Sequence, residues 1–245
     1  QFAKAPNPPK VTAVSGDGKV TLYWDRSAEN TEDKYMGNIT DGADLYDFEG
    51  YKIYRATDFE FNDAYNITDG DGNPTFLEPY VQNGVRAQWD LIDGKSGWHP
   101  VDLNGIKFYL GDETGLVHSY VDNNVVNGQR YYYAVVSYDY GGDLTNNIIP
   151  SDSPMKLRVN PLTGAVSLGP NVVEVVPSPP SAGFVDASFT GDQIDHVAGA
   201  SSGEVYLEIV DPQMIKDGHT YQITFDDTLL VISASVGRFS LSIST

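Results

Sequence analysis

Short runs of alternating apolar and polar residues, bounded by Gly, Asp, Asn or Pro, constrain this chain to β-structure. The clearest are Val11–Val14 and Lys19–Asp25, which flank an Asp17-Gly18 dipeptide. Asp-Gly between two such runs is the strongest local signal for a β-hairpin. Later runs predict further strands at Gly50–Ala56, Ser119–Asp122, Tyr131–Asp139, Ser151–Val159, Asn171–Val176, Gly203–Val210, His219–Phe225 and Phe239–Thr245.

The composition agrees with an all-β fold that carries long polar loops. Of the 34 acidic residues, 25 are Asp and 9 are Glu, and the chain has 24 Gly and 14 Pro. Asp, Gly and Pro favour turns, whereas acidic helices favour Glu. Because 40% of the residues are hydrophobic, there is enough apolar material for a core. We expect most of the carboxylates to lie in loops and turns as a solvated coat.

Charge and cysteine content exclude several classes of function. The 15 basic residues leave a net charge of −19, which phosphate backbones and anionic lipids repel, so we expect neither a nucleic-acid partner nor membrane insertion. No apolar run approaches the roughly 20 residues of a membrane span. Without Cys, disulfides, thiolate zinc sites and cysteine nucleophiles are absent. The Pro-rich start after Gln1 is typical of a processed exported protein, and of an arbitrary boundary as well.

Several of the expected strands carry motifs that belong together in one known family. The motifs are a Pro-rich lead, a strand that ends in Trp24-Asp25, the strand Gly50–Arg55, the segment Tyr120–Asp122, the turn Asn127-Gly128 and the following Tyr131-Tyr132-Tyr133.

Together these motifs resemble a fibronectin type III domain of the bacterial secreted kind, over residues 6–57 and 117–160. The resemblance implies an immunoglobulin-like β-sandwich with Trp24 in its core. It further implies that Tyr131 forms the "tyrosine corner" of such folds, with Val125 at the family's apolar position.

The chain departs from that family in length, and this sets the expected domains. We expect an elaborated sandwich over residues 1–160, with insertions at about 27–49 and 58–116. Insertions of this size usually carry structure or function of their own. Residues 161–245 form a second, smaller β module, either incomplete or completed by a partner.

One segment of the larger insertion has the pattern of a cation site. Asp69, Asp71 and Asn73 place side-chain oxygens at alternate positions of a Gly-containing turn, which suits Ca²⁺, and Glu78 is a further candidate ligand. The pattern departs from the helix–loop–helix calcium motif, since Pro74 stands at its sixth position and Tyr80 at its twelfth. The alternative is a turn with solvated carboxylates.

Two other groups are candidate contact sites. Trp89 and Trp98 could stack sugar rings, or could instead form the core of the insertion together with Phe76, Tyr80 and Tyr109. A second group alternates at the end of the chain, where Phe239, Leu241 and Ile243 would form a strand that pairs with another copy.

The four His residues show no metal-binding spacing, and no nucleophile elbow or phosphate-binding loop is present. The sequence therefore predicts a non-enzymatic protein, extracellular or on the cell surface, that acts in structure, adhesion or filament assembly. It would bind a protein partner or itself. The alternative is a carbohydrate-binding or accessory module of a larger secreted enzyme.

Overall fold

A computed structural model of the chain describes residues 3–68, 74–103, 105–185, 195–198, 207, 209–216, 219–225 and 237–242. The chain divides into two compact units, residues 1–179 and 180–245. The first unit is built from fifteen described strands, one short α-helix and one 3₁₀ turn. In chain order the strands are β1 (Val11–Gly16), β2 (Lys19–Trp24), β3 (Phe48–Ala56), β4 (Tyr65–Thr68), β5 (Pro74–Leu77), β6 (Val81–Gln82), β7 (Val85–Arg86), β8 (Gln88–Asp90), β9 (Trp98–Leu103), β10 (Ile106–Tyr109), β11 (Ser119–Asp122), β12 (Tyr131–Asp139), β13 (Leu157–Val159), β14 (Val166–Leu168) and β15 (Val172–Val175).

Two antiparallel sheets form the centre of the first unit. One has the strand order β1-β2-β11, and the other has the order β15-β12-β3-β8. The predicted hairpin is present, with Gly16 paired to Lys19 across the two-residue loop. Gly18 has a φ of +62°, a left-handed conformation that glycine adopts without a Cβ penalty. The all-β prediction is therefore confirmed for the described residues.

The core lies between these two sheets. Alternate residues of each strand point inward, so Leu22 and Trp24 from the first sheet meet Tyr51, Ile53 and Tyr133 from the second. Trp24 and Tyr131, the two residues predicted for the core, are 5% and 6% exposed. The Tyr131 hydroxyl accepts a hydrogen bond from the backbone N–H of Val126 at 3.0 Å.

The four-stranded sheet is buried on its outer face as well. All nine residues of β12 are buried, although only alternate ones can face the inner core. The outward-facing Tyr54, Ala134 and Val136 belong to a second apolar cluster, which includes Phe61 from the larger insertion. The insertion thus covers a sheet face that would otherwise be exposed to solvent.

The two compact units divide after Pro179, whereas the sequence predicted a domain boundary after Asn160. The expected last strand over 151–159 does not join the sheet as a strand. Only Asp152 bridges to Tyr138, and β13 pairs with β14 in a separate hairpin. Instead β15 pairs with β12 and completes the four-stranded sheet. A pattern of apolar residues cannot show which of two later runs fills a free sheet edge, and the domain bounds 1–160 and 161–245 stay a prediction.

The smaller insertion contains the single described α-helix, α1 (Lys34–Ile39). The buried Asp33 caps it, accepting hydrogen bonds from the backbone N–H groups of Tyr35 and Met36 at 2.7 and 3.0 Å. Within the described residues, no helix has the length and apolar character needed to cross a membrane.

The second unit contains a three-stranded antiparallel sheet among its described residues. Its strands are β16 (Asp195–Ala198), β17 (Thr220–Phe225) and β18 (Gly237–Ser242), in the order β16-β18-β17. Phe239 and Leu241 therefore lie in the central strand. Phe239 pairs with His196 on one neighbouring strand and with Ile223 on the other, and Leu241 pairs with Tyr221. This strand therefore has partners on both sides within the chain, whereas the sequence predicted that it pairs with another copy. Ile243 and most of the expected strand 203–210 lie outside the described residues.

Candidate functional site

A cleft of roughly 320 Å³ lies where the larger insertion meets the outer face of the four-stranded sheet. We call it the outer cleft. Its floor comes from Lys52 and Tyr54, which alternate on β3 with the core residues Tyr51 and Ile53. Its size falls within the usual range of about 300–1,000 Å³ for ligand sites.

An ion pair holds the floor in place. The Lys52 Nζ lies 3.1 Å from Asp152 Oδ1, and the Tyr54 hydroxyl donates to Asp152 Oδ2 at 3.0 Å. The Lys52 ammonium also sits over the rings of Phe108 and Tyr138, 3.5 and 4.4 Å from their centroids. Burial lowers the pKa of Lys52, while the Asp152 carboxylate opposes that shift. The Lys52 side chain is only 6% exposed, whereas that of Asp152 is 32% exposed. The carboxylate, not the ammonium, is thus the floor group that faces the opening.

The hairpin β9–β10 forms one wall. Gln88 anchors it, because its Nε2 donates to the carbonyls of Tyr109 and Leu110 at 3.0 and 2.9 Å. Trp98 and Tyr109 pair across the hairpin, with ring centroids 5.0 Å apart and an edge-to-face geometry. Trp98 is 59% exposed, so much of its indole faces solvent at the rim.

A second depression of roughly 290 Å³ adjoins the outer cleft, and we call it the side groove. The two share four lining residues, namely Tyr54, Phe76, Leu77 and Asp152. The side groove adds Tyr65, which is 41% exposed, and Met155. The two depressions therefore form a continuous surface with aromatic side chains along it and the Asp152 carboxylate at the junction.

The structure separates the two predicted sugar-stacking tryptophans. Trp98 lines the outer cleft, whereas Trp89 packs against the core between Trp24 and Tyr120, at centroid distances of 5.9 and 5.4 Å. Since Trp89 follows Gln88 on β8, its side chain points to the opposite face of the sheet. Trp89 thus follows the core alternative, and only Trp98 is placed to meet a ligand.

The predicted calcium ligands fall largely outside the part of the chain that the structure describes. Asp69, Asp71 and Asn73 lie there, while Glu78 receives a hydrogen bond from Arg86 at 3.5 Å. Across the described ranges, no group of three or more His, Asp or Glu side chains has a metal-binding arrangement. The calcium site therefore stays a prediction from the sequence.

Among the described residues, six carboxylates are buried and are exceptions to the expected solvated coat: Asp33, Asp47, Glu49, Asp90, Asp122 and Asp139. Most of them accept hydrogen bonds that join segments distant in the sequence. Asp122 accepts hydrogen bonds from Arg55 at 2.9 Å, Tyr80 at 3.1 Å and Tyr133 at 2.7 Å. Asp90 likewise accepts from the backbone N–H of Thr114 at 2.8 Å.

Three buried acids have strongly perturbed proton affinities. Burial, reinforced by the nearby Asp139, raises the pKa of Asp47 to about 8. Burial, reinforced by Asp93, raises the pKa of Glu49 to about 8. Burial raises the pKa of Asp139 to about 7, although hydrogen bonds from Ser151 lower it. Both oxygens of Glu49 lack a hydrogen-bond partner, so the neutral acid is its favoured form at neutral pH.

The sequence did not indicate the floor of the outer cleft. A usable signal was present at Lys52, a lysine inside an otherwise apolar strand, because such a residue needs a buried partner. Asp152 gave no comparable signal, since Ser151–Val159 had the appearance of an ordinary strand.

Comparison of the chain with protein-family models, with curated proteins and with solved structures finds no match. Its function must therefore be argued from the geometry of its own residues.

Proposed function

We propose that the chain is a non-enzymatic adhesion protein, exported to the cell exterior or surface, whose first unit binds its target in the outer cleft. The proposal rests on one observation, the way in which the larger insertion forms the cleft. Ordinary seven-strand sandwiches lack this insertion, which here packs on a sheet face and leaves a cleft lined by aromatic side chains.

We further propose that the first unit is a sandwich of the fibronectin type III kind. Seven antiparallel strands in a three-stranded and a four-stranded sheet share one core, which supports this assignment. So does the hydrogen bond between the Tyr131 hydroxyl and the backbone five residues upstream, the contact that defines a tyrosine corner.

Adhesion through the cleft has more support than assembly through the terminal strand. Because β18 already pairs with β16 and β17, donating it to a neighbour would first require one of those pairings to open. The outer cleft requires no such rearrangement.

The test is retention of the purified full chain on immobilised cellulose, chitin, peptidoglycan, mucin and collagen. We expect retention on at least one surface, and we expect Trp98→Ala to abolish it. Tyr46→Ala is the matched control, since Tyr46 is an aromatic residue that is 57% exposed and does not line the cleft. The proposal fails if no surface retains the chain, or if both variants are retained as well as the parent.

A further inference from the structure

We propose that the outer cleft and the side groove together bind a linear, uncharged oligosaccharide, with one sugar ring on Trp98 and the next near Phe76 and Tyr65. This inference rests on the proposed function, because it names the ligand class of the same site. It follows from the exposed aromatic side chains that line the two depressions and from the Asp152 carboxylate that both depressions share.

The aromatic surface suits flat rings with apolar faces. Trp98, Phe76 and Tyr65 are 59%, 37% and 41% exposed, and among the residues whose burial the structure describes only Tyr46 and Phe184 are further exposed aromatic side chains. They occupy two contiguous depressions, not a single deep pocket. An extended ligand with repeating units fits this layout, because each unit can cover one aromatic side chain while the next continues along the surface.

The polar floor selects hydroxyl donors. A carboxylate has about four lone-pair positions, and Lys52 and Tyr54 fill one on each oxygen of Asp152. The remaining positions can accept hydrogen bonds from a ligand, since the side chain is 32% exposed. Adjacent sugar hydroxyls supply such donors.

The outer cleft is lined by two lysines, Lys52 and Lys107, and by one carboxylate, Asp152, so the net charge of the whole chain is what argues for a neutral ligand. Lys52 neutralises Asp152, so no unpaired carboxylate attracts a cation. The Lys52 ammonium is in turn held beneath Phe108, and a chain with a net charge of −19 repels a polyanion. Acidic glycans are therefore disfavoured relative to neutral ones.

A Pro-rich peptide is the strongest competing occupant, since such peptides dock in aromatic-lined grooves. Proline, however, has no backbone N–H, and a polyproline helix presents carbonyl acceptors. Those acceptors would face the acceptor oxygens of Asp152. The Asp152 carboxylate therefore favours an oligosaccharide over a Pro-rich peptide.

The experiment is calorimetric titration of the full chain with neutral β-linked glucose, xylose and mannose oligomers of increasing length. Parallel titrations use oligogalacturonate and a polyproline peptide. We expect at least one neutral series to bind, with affinity that rises from the single sugar to the longer oligomers and weaker binding of the uronate. Trp98→Ala should weaken binding about tenfold or more, the equivalent of about 1.4 kcal/mol.

Three further variants separate the parts of the site. Tyr65→Ala should weaken binding of only the longer oligomers. Tyr54→Phe removes a hydrogen bond that orients the Asp152 carboxylate, so it should weaken binding of all of them while leaving the Lys52–Asp152 pair intact. Tyr46→Ala should match the parent, and thermal unfolding checks that each variant is folded.

The inference is overturned if no neutral series binds, or if Trp98→Ala and Tyr46→Ala lose affinity equally. Trp98-dependent binding of the polyproline peptide alone, or retention on collagen alone, would also overturn it while leaving the proposed adhesive function in place. If no surface retains the chain and no oligomer or peptide binds it, both this inference and the proposed adhesive function are overturned.

Discussion

Asp122 shows how a single buried side chain can join segments that are far apart in the sequence. It lies on β11 and receives hydrogen bonds from Arg55 on β3, from Tyr133 on β12 and from Tyr80 in the larger insertion. The backbone N–H of Asn124 donates a further bond at 2.8 Å. Both sheets and the insertion therefore depend on one carboxylate.

We expect Asp122→Asn to lower the free energy of unfolding by about 3 kcal/mol, because it leaves the Arg55 guanidinium without its counter-charge. Tyr133→Phe removes only one donor and should lower it by about 1 kcal/mol. Urea unfolding followed by tyrosine and tryptophan fluorescence measures both. Equal effects of the two variants would contradict the role of Asp122 as the centre of the network.

For individual residues, the sequence predicted positions in the core better than positions on the surface. For Trp24, alternation in the hairpin put it on one face with Val20 and Leu22, and the resemblance to fibronectin type III domains implied that it lies in the core. Trp89 and Trp98 could not be distinguished, since the face of each depends on its strand partner. β8 pairs with β3, and Trp98 pairs with Tyr109 in a separate hairpin. No local pattern contains that information.

Among the elements, the larger insertion is part of the structural core of the first unit. Its residues cover Tyr54, Ala134 and Val136 on the outer face of the four-stranded sheet, and its strand β8 forms the edge of that sheet. The sequence carried a signal for this. The run Tyr131–Asp139 is apolar at nearly every position, which is typical of a strand buried on both faces.

Replacing residues 58–116 with a short Gly/Ser loop should therefore abolish the native fold, although loop shortening alone costs little free energy. The exposed outer face would drive aggregation. Size-exclusion chromatography and near-UV circular dichroism measure the outcome. As a control, Gly/Ser replacement of residues 160–164, all exposed, should leave a folded monomer. A soluble, cooperatively folded chain without residues 58–116 would refute the structural role of the insertion.

For the whole molecule, the buried acids predict an unusual pH dependence. Asp47, Glu49 and Asp139 have folded-state pKa values of about 8, 8 and 7, above their ordinary values of 3.8, 4.5 and 3.8. Between these limits the folded chain binds more protons than the unfolded chain, so stability falls as the pH rises. We expect the melting temperature at pH 5.5 to exceed that at pH 8.5 by at least about 3 °C.

Glu49→Gln isolates one part of this effect. The amide removes the buried acid, so it should raise the melting temperature at pH 8.5, change it little at pH 5.5 and flatten the profile between them. Calorimetry across this range gives the result. A profile that rises with pH, or an unchanged slope in the variant, would show that Glu49 is not a protonated buried acid.

For the whole molecule, the sequence predicted the all-β class. The division into units and the outer cleft depend on which strands pair with each other, and the sequence pattern does not show this. The cleft combines residues of β3, the insertion and the segment around Asp152, which lie about 100 positions apart from first to last. Side chains separated in this way become one site only through the order of strands in the sheet.

The most direct test of the proposed role is hydroxyl-radical footprinting of the full chain, free and bound to whichever surface material or oligomer retains it. Binding in the outer cleft predicts that oxidation of Trp98 and Phe76 falls sharply, while oxidation of Trp89, which is partly buried on the other face of the sheet, stays unchanged. Protection confined to the second unit, or full oxidation of Trp98 in the bound chain, would contradict it.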